Sequence, residues 1–108
     1  MLVDFNNISD ESRVWIYASE KELTNNQKDY ILHFMSLYLQ TWKAHNKPLT
    51  SAVTILEDHF IIIALDESKN VATGCSIDIL QKNIQEIEKD LSISLMNRLN
   101  IFCKIDLN

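Results

Sequence analysis

A single glycine, Gly74, and a single proline, Pro48, punctuate the whole chain. Glycine enters left-handed backbone without strain, and proline stops helices and interior strands. A chain with one of each has little cheap turn chemistry, so few, long and plainly connected elements are expected. With 108 residues, 46% of them apolar, there is material for one hydrophobic core, and one α+β domain over residues 1–108 is expected.

The elements follow from local pattern. "RVWIYA", Arg13–Ala18, is β-branched and aromatic, which suits a buried strand. Thr24 and Gln27 have the spacing of a capping box: the threonine hydroxyl takes a free backbone amide while the glutamine reaches back. Ile31, Phe34, Met35, Tyr38, Trp42 and His45 then recur at three- and four-residue steps, predicting a helix over Asn25–Ala44 that His45 ends. "TSAVTILE" and "FIIIALD" read as two strands joined by a hairpin turn at Asp58–His59, with Phe60–Leu65 an interior strand. "DESKNVATG" is a loop. Ile77, Leu80, Ile84, Ile87 and Leu91 form a second helical stripe, capped by Ser76 or Asp78. "LSISLMNRLN" reads either way, including as a short helix, and Ile101–Leu107 as a last strand.

The order predicts a two-layer sandwich: a small, mostly antiparallel sheet with helices on one face. With a last strand it takes the ferredoxin-like order βαββαβ. Aromatic residues at helical spacing, such as Phe34, Tyr38 and Trp42, are expected in the core rather than in a recognition patch.

Composition narrows function. A formal net charge of −5 with no basic run repels a phosphate backbone, so nucleic acid is not an expected partner. The beginning of the chain lacks the basic head and apolar run of a leader peptide, and the longest apolar run is too short to span a bilayer. A cytoplasmic protein is expected, with no membrane partner and with Cys75 and Cys103 as free thiols.

Chemistry, if present, centres on Cys75. A cysteine beside a helix start meets free amides that favour the thiolate, His45 and His59 are candidate bases, and Asp66 a candidate orienting carboxylate. Around it the loop offers Asp66, Glu67, Ser68, Gly74, Ser76 and Asp78 as ligand-binding candidates. Against this, Asp66, Glu67 and Asp78 oppose a thiolate by like charge, and Ala72, Gly74 and Ser76 suit a plain tight turn. The structural reading is preferred: Gly74 adopts a backbone conformation costly to other residues, so Gly74→Ala destabilises whereas Cys75→Ser does not. The spacings of His45, His59, Cys75 and Asp66 match no metal signature, and no metal or cofactor is expected.

"WKAH" at Trp42–His45, followed by "FIIIALDESKNVATGCSID" at Phe60–Asp78, resembles a small uncharacterised bacterial family whose members often carry the label "ABC transporter ATPase". The likeness runs from about the N-terminus to Arg98. It brings no catalytic residues with it. Members are typically longer, which implies a closing strand at Ile101–Leu107 that is incomplete or differently used here. The label itself conflicts with the residues: a P-loop needs several glycines to wrap phosphates, then Gly-Lys-Ser or Gly-Lys-Thr, and this chain has neither.

Two functional readings remain. The first is a non-enzymatic protein-interaction module, with a protein partner or a second copy meeting an exposed strand edge. The second is a small thiol-dependent enzyme or ligand binder using Cys75 beside the 66–78 loop.

Overall fold

A computed structural model of the chain describes residues 1–102. After a short 3-10 turn at Phe5–Asn7 come β1 (Arg13–Ser19), α1 (Asn25–Leu39), β2 (Lys43–Ala44), β3 (Lys47–Pro48), β4 (Thr50–Leu56), β5 (Phe60–Asp66), α2 (Gly74–Leu91) and β6 (Leu95–Phe102). The main sheet has the order β4-β5-β1-β6, and every pairing in it is antiparallel. Between Ile16 and Tyr17 the β1–β6 register shifts, so that Arg98 is the extra residue of a bulge. The mixed α+β architecture with an antiparallel sheet is as the sequence predicts.

Alternation along the strands builds two unequal layers. Trp15, Tyr17, Ile61, Ile63 and Leu65 are buried in one cluster with Ile31, Met35 and Leu39 of α1 and Leu80, Ile84 and Ile87 of α2. Both helices therefore pack on the same sheet face, each through one stripe. On the other face Val14, Ala52, Ile62 and Ala64 lie under Ile8, Val3 and Phe5 of the chain before β1. That cover is partial. Ile16 and Leu56 are only half-buried there, and Phe60 keeps 37% of its surface exposed.

Several boundaries differ from the sequence reading. The Thr24–Gln27 capping box forms as expected, at 2.9 and 3.1 Å. The helix it opens stops at Leu39, short of Ala44, and Trp42 turns inward. His45 does not end a helix: with Asn46 it forms the two-residue turn of the β2–β3 hairpin, φ being positive at both. The β4–β5 turn centres on Glu57 and Asp58, φ 55° and 56°, one residue earlier than expected, with His59 N–H donating to Leu56 C=O at 3.1 Å. Thr73, not Ser76 or Asp78, caps α2; Ser76 is its reciprocal partner in a second capping box. The segment after α2 is strand from Leu95, not a short helix, and residues 103–107 of the expected last strand lie outside the described residues, as does Cys103.

Helix α2 ends on Ser92 in the left-handed region, φ 54°, with Ile93 N–H donating to Glu88 C=O and Ser92 N–H to Lys89 C=O. That pair of bonds is a Schellman motif, usually built on glycine at the position serine takes here.

The reading of Gly74 is overturned. It sits in the first turn of α2 with no positive φ, and a Cβ placed on it meets nothing within 4 Å. Neither conformation nor space requires glycine. Gly74→Ala is therefore expected to raise stability, by about 0.4–1 kcal/mol, because alanine reduces the freedom of the unfolded chain. Denaturant melts of the two proteins decide it, and a clear loss in the alanine variant would restore the glycine requirement.

Candidate functional site

The loop between β5 and α2 carries most residues that the sequence singled out, and its polar groups are largely spent on its own backbone. Asp66 Oδ1 accepts from Ser68 N–H at 3.0 Å, folding the chain back as it leaves β5. Glu67 Oε2 accepts from Ala72 N–H at 2.8 Å across the loop, while its buried Oε1 has no partner among the described residues. Ser76 closes the capping box with Thr73. Asn70 Nδ2 donates to Pro48 C=O at 2.9 Å, which ties the loop to the β2–β3 hairpin. Trp42 Nε1, buried, donates to Ser76 C=O at 3.0 Å and fastens the end of α1 to the start of α2.

Hairpin, loop and helix start are thus one neighbourhood, but the proposed catalytic set does not assemble in it. Cys75 is an exposed free thiol in the first turn of α2, and Asp78 is exposed beyond it. His45 is exposed at its turn. Among the described residues no hydrogen bond or ion pair joins Cys75, His45 and Asp66. His59 and Asp66 lie too far apart along the sheet to serve one thiol together. His59 precedes Phe60, whereas Asp66 ends the same strand, and six strand steps separate the ends by about 20 Å. The His59 Nδ1 lies 3.3 Å from Ser19 C=O. No group of three or more His, Cys, Asp or Glu among the described residues is placed to hold a metal ion, and no helix there is long and apolar enough to cross a membrane.

A cleft of about 510 Å³ opens at the opposite end, between Ser19–Lys21 and the end of α2. Its central carboxylate is already committed, since Glu88 Oε2 accepts from Leu95 N–H at 2.8 Å. Lys21 and Lys89 leave the rim mixed in charge with Glu20.

The most distinctive surface is the β4 edge, whose position in the sheet the sequence did not reveal. Ser51 turns its backbone outward: its N–H donates to Met1 C=O at 3.0 Å and its C=O accepts from Val3 N–H at 2.8 Å. Leu2 and Ser51 form a parallel bridge, so a short extended segment has added itself to this edge. By the alternation of an antiparallel strand, Val53 and Ile55 also direct their N–H and C=O groups outward. Among the described residues nothing pairs with them. The strand "TSAVTIL" has no charge, no proline and no bulge, the devices that commonly protect an edge.

Two charges flank the open stretch. Asp4 follows Val3 where the added segment leaves the edge, and Glu57 follows Leu56; both are exposed. Asp58 is neutralised by Lys28, whose Nζ lies 2.6 Å from Oδ1. No protein-family model, curated protein or solved structure matches the chain.

Proposed function

We propose that the protein is a non-enzymatic interaction module that binds a protein partner by strand addition at β4. The observation that carries this reading is the row of outward amide and carbonyl groups at Val53 and Ile55, continuing an edge that residues 1–3 already occupy in part. An extended chain laid there gains main-chain hydrogen bonds, and neighbouring side-chain positions supply selectivity. The partly covered face beside it, with Ile16, Leu56 and Phe60, adds apolar area next to the edge. We also read the order of the long elements as ferredoxin-like; setting the β2–β3 hairpin aside, the supports are the sequence β1-α1-β4-β5-α2-β6 and the sheet order. A cytoplasmic, bacterial setting belongs to the same proposal, supported by the family resemblance and by the exposed free thiol of Cys75, which suits a reducing compartment.

Val53→Pro tests the docking edge. The Val53 N–H makes no bond inside the sheet, so proline removes an outward donor while leaving the ladder with β5 intact. Immobilised wild-type protein is expected to retain a stoichiometric partner that the folded proline variant does not. Retention of nothing by the wild type, with light scattering showing only monomer, would remove the basis of the interaction reading.

A further inference from the structure

We infer that the segment received by the open half of β4 is cationic: an extended stretch of a protein partner with an apolar centre and Lys or Arg on either side. The inference rests on the docking reading above and goes beyond it by fixing the chemistry of the occupant. Three observations bear on it. The open stretch, Val53–Leu56, has only apolar and threonine side chains, so its centre calls for an uncharged strand. Its two ends carry exposed carboxylates, Asp4 and Glu57, and Lys28, which reaches the hairpin turn, is already paired with Asp58. The segment that residues 1–4 lay along this edge has Asp4 as its only charged side chain, and its one cation, the Met1 α-ammonium, is bonded to Leu49 C=O at the occupied end.

The same charges argue against a second copy in that place. Two copies paired antiparallel along Val53–Ile55 would set Glu57 of each beside Asp4 of the other, so like charges would meet at both ends. A cationic strand meets opposite charge at both. Lys43 and Lys47 do not alter this, because they belong to the hairpin preceding the half of the edge that residues 1–3 occupy.

The test uses the full chain and two short synthetic peptides with the same alternating Val-Thr centre, one flanked by lysines and one by glutamates. Fluorescence anisotropy at low and physiological salt gives the affinities. The lysine peptide is expected to bind more tightly by about tenfold, as two surface charge contacts would supply, with the difference shrinking in salt. In the double variant Asp4→Asn, Glu57→Asn that preference is expected to vanish; asparagine can still cap the 3-10 turn through Asn6 N–H and tolerates the positive φ at position 57. Val53→Pro is expected to abolish binding of the lysine peptide. Equal affinity for both peptides, each lost in Val53→Pro, would overturn the charge inference and leave strand docking standing. Lysine-peptide binding unchanged by Val53→Pro would overturn it as diffuse attraction. A concentration-dependent dimer abolished by Val53→Pro would put a second copy in the place of the cationic strand.

Discussion

Replacing Trp42 by alanine is expected to cost about 3–5 kcal/mol and to lower the melting temperature by about 15–25 °C. The residue is 2% exposed, although it lies in no helix and in no strand of the main sheet. Its ring meets Trp15 of β1 edge-on at 5.9 Å and Tyr38 of α1 at 6.1 Å, and its indole N–H bonds Ser76 C=O on α2. One side chain therefore joins the sheet and both helices, and no neighbour is free to collapse into the space it would leave. A domain of this size has a net stability of about 5–15 kcal/mol, so the variant sits near the folding threshold. Trp42→Phe separates packing from hydrogen bonding: it keeps most of the aromatic contact, loses the bond, and is expected to cost about 1–2 kcal/mol. Denaturant melts of both variants check the argument. An alanine variant within about 1 kcal/mol of wild type would mean that the junction is not where the helical layer is held.

Trp42 also shows why the sequence reading went astray where it did. Its spacing from Ile31, Met35 and Tyr38 continues the helical stripe, and nothing between Leu39 and Ala44 breaks a helix by propensity. The helix ends because Trp42 is needed under α2, a tertiary demand that no local pattern records. The strands were legible because β-branched and aromatic residues crowd Arg13–Ser19 and Phe60–Asp66. Both helix starts carry capping spacings, but at α2 local pattern points to Ser76 or Asp78 as the cap, whereas Thr73 is the cap and Ser76 its partner. Gly74 misled by its rarity. Positive φ falls instead on His45, Asn46, Glu57, Asp58 and Ser92, where non-glycine residues accept strain of about 1 kcal/mol each. Asn46 just before Lys47-Pro48 was the one available sign of that turn. The candidate site was least legible. "TSAVTIL" reads as a strand from its composition, but whether it lies inside or at an edge depends on the order β4-β5-β1-β6, which long-range pairing decides.

At alkaline pH the protein is expected to lose stability, and its tyrosines to ionise late. All three tyrosines are held above their ordinary value of 10. Tyr30 is shifted by its hydroxyl's bond to Asp90 on the neighbouring helix, a surface contact with little bearing on folding. Tyr17 differs. Burial raises it to about 12 and the nearby Gln81 side chain lowers it, but among the described residues no group reaches the buried hydroxyl with full hydrogen-bond geometry. Tyr38 moves the same way, by burial first and then by the nearby Tyr17. In the folded protein the Tyr17 proton is bound more tightly than in the unfolded chain. Its contribution is thus complete below the unfolded value of 10 and disappears as pH climbs from 10 towards about 12. Two pH units correspond to about 3 kcal/mol. Tyr17→Phe removes the ionisable group, so the variant is expected to keep that amount through the alkaline range. At neutral pH it is expected to be about as stable as wild type or more so, because a buried hydroxyl without a well-formed hydrogen bond costs folding rather than aiding it. Denaturant midpoints measured across pH, alongside tyrosinate absorbance, provide the check. Tyrosinate forming in the folded state near 10, with midpoints of wild type and Tyr17→Phe falling together, would show that the hydroxyl between β1 and α2 reaches water after all.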